Sequence, residues 1–207
     1  MKTSGHSQIE GRIKNLKEGS LVFSTDFRGL GTDIAIKNAL SRLARAGKIE
    51  RLGHGVYYLP KNDTRLGKLL PSLEEIAQTI ARREDIKIKP AGAYALHRLG
   101  LSNQVPMKQV YITNGLPKRL KIGKVTLVFK TTTPKRLAMK GPISSLVIQA
   151  LAELDLKELD TELTEKIQRL LSQEDPALLQ NDLKLAPAKI SDFIYKSFLV
   201  DSKNKKS

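Results

Sequence analysis

Apolar residues in the first part of the chain recur at the spacing of short helices separated by glycine turns. Residues 7–16 carry isoleucine or leucine every three or four positions and predict a first helix. The apolar run 21–23 begins a second short element, and the glycines within 29–31 permit the tight reversal that follows it. The pattern therefore predicts two short elements ahead of the longest amphipathic segment in this region.

That segment is a third helix, which begins at a cap formed by Thr32 or Asp33 and ends at Gly47, where a left-handed residue is expected. On a helical wheel its two faces differ in chemistry. The apolar face consists of Ala35, Ile36, Ala39, Leu40, Leu43, Ala44 and Ala46. The polar face consists of Lys37, Asn38, Ser41, Arg42 and Arg45, with Ile34 as an apolar exception.

The polar face carries no acidic side chain beyond Asp33, which lies where the helix dipole favours a negative charge. Solvated helix faces usually mix both signs. Guanidinium groups pair with guanine, an amide pairs with adenine, and the remaining charges suit phosphates. We predict that this face contacts DNA, and the alternative is an ordinary solvated face. The predicted contacts on the helix are Thr32, Lys37, Asn38, Ser41, Arg42 and Arg45.

After Gly47 the period changes to that of two strands joined by a tight turn at residues 53–55, and Pro60 ends the second strand. Three helices followed by a small hairpin is the order of a winged helix-turn-helix, in which the third helix enters the major groove. His54 lies at the predicted hairpin tip and is a further predicted DNA contact. The alternative is that its flanking glycines alone explain the turn.

Residues 61–145 predict an α+β unit, begun by a helix over 71–83 with a capping box between Ser72 and Glu75. A strand over 86–90 and a helix over 91–99 follow. Two further strands, 110–113 and 124–130, are joined by a predicted linker over 118–123. Because their residues alternate between apolar and polar, we expect one buried sheet face and one wet, basic face.

This middle segment holds 17 of the 36 basic side chains but 5 of the 21 acidic ones, and it supplies most of the net charge of +15. The excess predicts a polyanion or an acidic protein surface as a partner, and the alternative is a solvated lysine-rich face. Tyr111 and Phe129 are predicted to pack in the core rather than to stack on bases. The candidate basic surface consists of Lys87, Lys89, Lys118, Arg119, Lys121 and Lys124, extended by Lys130, Lys135 and Arg136.

Residues 146–207 are nearly neutral and read as a helical extension that ends in a short solvated tail, 203–207. Four short helices are predicted, over 144–154, 160–172, 176–183 and 187–199. The sequence thus predicts an α+β protein of three segments: a winged helix-turn-helix over 1–60, a basic α+β domain over 61–145, and a helical extension over 146–207.

Several classes of function are disfavoured by what the sequence lacks. Zero cysteines remove disulfides and thiolate chemistry, and the three histidines, His6, His54 and His97, fall on separate elements. We therefore predict no metal site and no cofactor. Without a nucleophile elbow or a phosphate-binding loop, a binding protein is favoured over an enzyme. No secretory signal is visible at the start, and no apolar run approaches the ~20 residues that span a bilayer, so we expect a cytoplasmic protein without a membrane partner.

Three stretches resemble a known family. The string AGKIERLGHGVYY at residues 46–58 is similar to the wing of the AbiEi-type antitoxins of type IV abortive-infection toxin–antitoxin systems. The strings AGAYALHRLGLSNQVP at 91–106 and VYITNG at 110–115 resemble the start of the second domain in that family. The likeness spans roughly residues 5–155, and the second domain is its more specific part.

The resemblance implies a transcriptional repressor that is also an antitoxin and regulates its own operon. It implies that the second domain carries the antitoxin activity and aids cooperative DNA binding, and that the cognate toxin is a nucleotidyltransferase-like protein. The expected partners are operator DNA, that toxin, and a second copy in a dimer or a cooperative assembly. The alternative is an RNA- or phosphate-binding accessory protein that uses the basic middle, with the winged helix as an interaction module.

Overall fold

The computed structural model describes residues 5–157 and 159–199, so the predicted tail at 203–207 lies outside the described residues. The described chain is a mixed α+β protein with several small sheets. It divides into two compact units. The first unit comprises the chain up to Arg83 together with Leu120–Lys124, and the second comprises the remainder. The helices predicted for the extension 146–207 thus group with the second unit.

The first unit is built from two helices around a small antiparallel sheet, followed by a second hairpin and a third helix. Its elements are α1 (Gly5–Lys14), β1 (Leu21–Phe23), a 3-10 turn (Ser24–Phe27), α2 (Asp33–Arg45), β2 (Glu50–Gly53), β3 (Val56–Tyr58), β4 (Lys61–Asp63), β5 (Gly67–Leu69) and α3 (Leu73–Arg83). Strand β3 lies in the middle of the sheet β1-β3-β2, and β4 pairs with β5.

The predicted second element takes a different form from a helix. It is strand β1 followed by a four-residue 3-10 turn, so the expectation of three helices before the hairpin is wrong. Too few residues separate β1 from Gly29 for an α-helix to develop. Instead, the Asp26 carboxylate accepts a hydrogen bond from the Phe23 N–H at 2.8 Å, and Phe27 is buried in the core. The chain therefore turns directly from the sheet toward α2.

Helix α2 has the predicted ends. Thr32 Oγ1 accepts the Ala35 N–H at 3.2 Å as an N-cap, and Gly47 has a φ of +70° just beyond the helix. Ala35 and Ala46, predicted on the apolar face, are both exposed. They lie in the first turn and at the C-cap, where a methyl group is too short to reach the core. The residues of α2 that are buried are Ile36, Ala39, Leu40 and Leu43.

The hairpin β4–β5 was not predicted, because its residues are polar and show no apolar alternation. Its turn is set by Asp63, whose carboxylate accepts the backbone N–H groups of Arg65 and Leu66. The helix that follows has the predicted capping box: Ser72 N–H donates to Glu75 at 2.7 Å, and Glu75 N–H donates to Ser72 Oγ at 3.1 Å. These bonds lower the pKa of Glu75.

The second unit combines a four-stranded sheet with helices. Its elements are β6 (Ile88–Ala91), α4 (Gly92–Arg98), β7 (Lys108–Thr113), β8 (Lys118–Ile122, whose last three residues group with the first unit), β9 (Val125–Thr131), α5 (Pro134–Ala138), α6 (Ser144–Leu151), α7 (Thr161–Leu171), α8 (Pro176–Leu185), α9 (Ala188–Ile194) and a π-helical turn (Tyr195–Leu199). The strand order is β6-β7-β9-β8. The predicted linker over 118–123 is therefore wrong: alternating Leu120 and Ile122 form an edge strand that its charged residues obscured.

The predicted wet face of this sheet is also wrong for its central strands. Tyr111, Ile112 and Thr113 of β7 are all buried. Tyr94 of α4 covers one face, with its ring centroid 5.3 Å from that of Tyr111, while Leu137 of α5 packs with Ile112. Strands β7 and β9 pair in parallel, and parallel strands are usually covered on both faces. Phe129 stacks on Tyr111, which confirms that these two aromatics belong to the core.

The four predicted C-terminal helices are present with nearly the predicted bounds. Asp160 and Asp175 cap α7 and α8 by accepting backbone N–H groups, and Pro176 is at the first position of α8. Their apolar residues share one core with α6, including Ile148, Ile167 and Ile194. In the described part of the chain, none of the helices is long and apolar enough to cross a membrane.

Candidate nucleic-acid interface

The polar face of α2 is open to solvent along its length. Lys37, Asn38, Arg42 and Arg45 are exposed, and Ser41 is partly exposed. Ile34 lies on the same side and retains 71% of its accessible surface. The face therefore presents two guanidinium groups, one ammonium group, one amide and one apolar side chain.

The opposite side of α2 fixes this face in orientation. Ile36, Leu40 and Leu43 are each at most 2% exposed and pack with Ile9 of α1 and Phe27 of the 3-10 turn. Burying side chains of this size contributes about 2 kcal/mol each. The helix consequently cannot roll without exposing its core residues, and its polar side chains project from a rigid support.

The cations of this face differ in ion pairing from other cations of the first unit. In the described part of the chain, no carboxylate lies within ion-pair distance of Lys37, Arg42 or Arg45. Elsewhere in the first unit, basic side chains do pair: Lys14 and Lys48 contact Glu10, and Arg83 contacts Asp26. The donors of the α2 face are thus available to an anionic ligand, whereas several neighbouring cations are already engaged.

Two grooves flank α2. One, of about 520 Å³, follows the side that carries Thr32, Asn38 and Arg42. The other, of about 650 Å³, lies at the carboxyl end of the helix and is lined by Arg45 together with Arg51 of β2. Thr32 Oγ1 accepts the Ala35 N–H as the helix cap, and its hydroxyl hydrogen remains for donation to a ligand.

A smaller pocket of about 100 Å³ beside Lys37 is lined by Thr25 of the 3-10 turn, by Arg28 just after that turn, and by Asp33 of α2. Neither Arg28 nor Arg51 was predicted as a contact, although both border the predicted face. Sequence reasoning followed one helix and had no signal for cations brought alongside it by other elements.

His54 lies in the turn between β2 and β3 and is exposed. The backbone requires each of the two flanking glycines for a different cause. Gly55 has a φ of +69°, and a Cβ on Gly53 would lie 2.4 Å from the Lys121 carbonyl oxygen. The glycines account for the turn without the histidine, and contact between His54 and DNA stays a prediction.

The cations of the predicted basic surface are divided between the two units. Lys121 and Lys124 are exposed and group with the first unit, whereas Lys87, Lys118 and Arg119 belong to the second. Lys87 and Arg119 are exposed, and the Lys118 ammonium pairs with Glu84.

Lys89 was predicted on the same surface, and this prediction is wrong. Its ammonium points inward and donates to the Met139 carbonyl oxygen and to Ser145 Oγ, the latter at 3.0 Å. Burial lowers the pKa of Lys89, partly offset by the charge of Asp182. The strand alternation placed Lys89 outside the core, but the segment 139–145 covers it.

The outer members of that predicted surface are also partly engaged. Lys130 pairs with Glu153 at 3.3 Å. Arg136 donates from Nε to Gln149 Oε1 at 2.9 Å, and burial lowers its pKa. Lys135 is exposed.

Two buried carboxylates that sequence reasoning missed organise the segment 140–144 of the second unit. Asp182 accepts the N–H groups of Lys140 and Gly141 and the hydroxyl of Ser144, at 2.7–2.9 Å. Glu174 accepts the N–H groups of Ile143 and Ser144, both at 2.8 Å. These contacts are 30 or more residues apart in sequence, so no local pattern reveals them. Because the oxygens are occupied by backbone donors, the pair stabilises the fold.

Among the residues described, no group of three or more histidine, aspartate or glutamate side chains converges as a metal site. In the described part of the first unit, the rigid helix α2 presents basic and amide donors beside two grooves.

These observations describe a mixed α+β protein with an exposed basic helix face. Residues 8–179 match a family described as a family of unknown function (DUF6088), and the chain belongs to this family. No curated protein matches the sequence. Among solved structures, the chain is similar to the crystal structure of the RV2827C protein from Mycobacterium tuberculosis, with 17% identity and a TM-score of 0.35. That match covers 94% of this chain and 82% of the other.

Proposed function

We propose that the protein is a DNA-binding transcriptional repressor, and that it is the antitoxin of a type IV abortive-infection toxin–antitoxin system whose operon it regulates. In this proposal residues 5–60 form a winged helix-turn-helix in which the 3-10 turn Ser24–Phe27 stands in the place of the second helix, with α2 as the recognition helix and β2–β3 as the wing. Operator DNA lies in the cytoplasm, so the protein acts there.

One observation carries the DNA-binding part: the polar face of α2 is exposed and unpaired while its apolar side is held in a core. An α-helix fits the major groove, where bases differ in their donors and acceptors. We assign Arg42 and Arg45 to guanine and Asn38 to adenine. Ile34 suits the methyl group of thymine.

The remaining donors suit the backbone of the duplex. Lys37, Ser41 and Thr32 lie on or beside the same face and supply a charge and two hydroxyls for phosphate oxygens. A contact of this kind fixes the register of the helix without reading sequence. Binding is therefore expected to weaken as salt rises, in proportion to the phosphates contacted.

The antitoxin part rests on the likeness of residues 91–106 and 110–115 to the AbiEi-type second domain. These residues form α4, the loop after it and most of β7 in the second unit. The proposed protein partner is a nucleotidyltransferase-like toxin. We further propose that two copies bind repeated half-sites, since a single winged helix of this size covers only part of a specific site.

The alternative, an RNA- or phosphate-binding accessory protein that uses the basic middle, has less support. Lys89 is turned inward, and the guanidinium of Arg136 donates to Gln149. The aromatic side chains Tyr111 and Phe129 are buried, so they offer no stacking surface for single-stranded bases.

The test is gel retardation of the promoter DNA upstream of the gene by the full chain. The double variant Arg42→Ala/Arg45→Ala is expected to bind about 100-fold more weakly, because each bidentate contact contributes roughly 1–3 kcal/mol. Arg169→Ala on α7 is the matched control, since this arginine is exposed and belongs to the second unit. Retention of sequence-specific retardation by the double variant would contradict the assignment of α2.

The antitoxin part needs its own test. Growth rescue on induction of the neighbouring gene is expected from the full chain and from the Arg42→Ala/Arg45→Ala variant, in which the second unit is unchanged. Failure of the full chain to rescue growth would refute the antitoxin role and leave the DNA-binding role standing.

A further inference from the structure

We propose that the groove at the carboxyl end of α2 binds a backbone phosphate of duplex DNA through Arg51 and Lys68, beside Arg45. This inference rests on the proposed function and extends it to the hairpin β4–β5, which lies outside the winged helix-turn-helix.

The groove brings together cations from three separate elements. Arg45 comes from α2, Arg51 from β2 and Lys68 from β5. All three are exposed. Ser41 of the α2 polar face lines the same groove and adds a hydroxyl donor. The volume of about 650 Å³ leaves room for a phosphodiester.

The groove is continuous with the face that we assign to base reading, because Ser41 and Arg45 belong to both. A helix of about 10–12 Å diameter fills a major groove of about 12 Å width, so the two phosphate strands run along its flanks. A duplex seated on the polar face of α2 consequently brings one strand toward Arg51 and Lys68. Arg51 and Lys68 at this groove suit a phosphate and carry no base specificity, while Arg45 keeps its assignment to guanine.

One carboxylate, Glu50, also lines this groove and pairs with Lys68. Both side chains keep substantial solvent exposure, at 30% for Glu50 and 44% for Lys68. An exposed pair of this kind is weak. A phosphate therefore competes with Glu50 for Lys68, and removal of the glutamate charge strengthens binding.

The test is fluorescence anisotropy with the full chain on two duplexes of equal length, the upstream promoter and a shuffled sequence. Arg51→Ala and Lys68→Ala are each expected to weaken binding about fivefold on both duplexes, and to reduce the slope of log K against log salt by about 0.9. Glu50→Gln is expected to strengthen binding on both duplexes by about threefold. A gain of this kind cannot come from loss of folding.

Lys61→Ala is the matched control. Lys61 is exposed on β4 of the same hairpin, but it lines a different groove together with Tyr58 and Arg82. This variant is expected to keep the affinity and the salt slope of the parent chain.

The outcomes separate this inference from the proposed function. If the parent chain binds the promoter while Arg51→Ala and Lys68→Ala leave affinity and salt slope unchanged, the phosphate site is refuted and the repressor proposal stands. Loss on the promoter alone would make these residues base readers, and an equal loss with Lys61→Ala would make the effect one of general charge. Either result overturns the site. If the parent chain binds neither duplex, both proposals fail.

Discussion

The basic face of α2 and the basic residues of the second unit are equally prominent in the sequence, yet they differ in what their donors do. Lys37, Arg42 and Arg45 on α2 have no acidic partner in the described chain. In the second unit, Lys89 donates to Met139 and Ser145, and Arg136 donates to Gln149. The comparison teaches that a count of positive charges does not locate a ligand site. What matters is whether the fold has already used the donors.

The largest expected effect comes from Asp182, a buried carboxylate that stabilises the second unit, whereas the donors of α2 are exposed. Asp182→Ala leaves two backbone N–H groups and the Ser144 hydroxyl without a buried acceptor. We expect a loss of about 3 kcal/mol in the free energy of unfolding, measured by urea denaturation. Asp192→Ala, an exposed position on α9, is the control.

The same experiment on Arg42→Ala/Arg45→Ala is expected to change the free energy of unfolding by less than about 0.5 kcal/mol, because both side chains are exposed and unpaired. A large destabilisation there would mean that the α2 cations support the fold, and the contrast between the two regions would disappear.

The second prediction concerns specificity. Arg42→Lys and Arg45→Lys keep the charge of the α2 face but lose the planar fork that contacts guanine at two atoms. We expect each to reduce the preference for promoter over shuffled DNA by about 1–2 kcal/mol while binding to the shuffled duplex changes little. Equal weakening on both duplexes would show that these arginines act as phosphate contacts.

A smaller effect is expected at the cap of α3. Ser72→Ala removes the acceptor for the Glu75 N–H and is expected to cost about 1 kcal/mol of stability near neutral pH. The Glu75 pKa is lowered in the folded chain, mainly by the Ser72 N–H, so Glu75 contributes stability above its unfolded pKa that is lost as pH falls through the folded value.

Ser72→Ala removes the contribution of the Ser72 side chain to the lowered pKa of Glu75. The variant is therefore expected to lose less stability than the parent chain as the pH falls. Denaturation curves at several acidic pH values measure this loss of stability. A steeper loss in the variant than in the parent chain would contradict the prediction.

The last prediction gives the direction in which Lys89 makes stability change with pH. Burial lowers the pKa of Lys89 below its usual 10.5, so the unfolded chain binds more protons between the folded pKa and 10.5. In that window Lys89 makes stability rise with pH. Lys89→Met is expected to remove this contribution, visible as a difference between the two stability–pH curves above neutral pH. If the two stability–pH curves ran parallel, burial would not lower the pKa of Lys89, and its ammonium would lie in solvent.

Local pattern was sufficient for the elements whose sequence carries both a period and an end signal. Helix α2 follows from its apolar spacing, the Thr32 cap and Gly47, and α3 follows from the capping box of Ser72 and Glu75. The hairpin β4–β5 has a polar sequence, so its pairing leaves no periodic trace.

The local sequence pattern does not predict which groups surround a charged side chain. Lys89 alternates as an exposed strand residue would, but Met139 and Ser145, 50 and 56 residues further on, enclose its ammonium. Arg51 and Lys68 join Arg45 for the same reason, since separate elements of the first unit bring them to one groove. The sequence pattern could therefore predict the candidate interface along α2, but not the cations that β2 and β5 add beside it.

The central claim, that the polar face of α2 lies against duplex DNA, is tested most directly by site-specific photocrosslinking. A benzophenone amino acid in place of Ile34, which is 71% exposed on that face, is expected to crosslink to the promoter duplex. The same probe at Leu116, which is 85% exposed in the second unit, is expected to give little or no crosslink. Crosslinking from position 116 but not from position 34 would contradict the account.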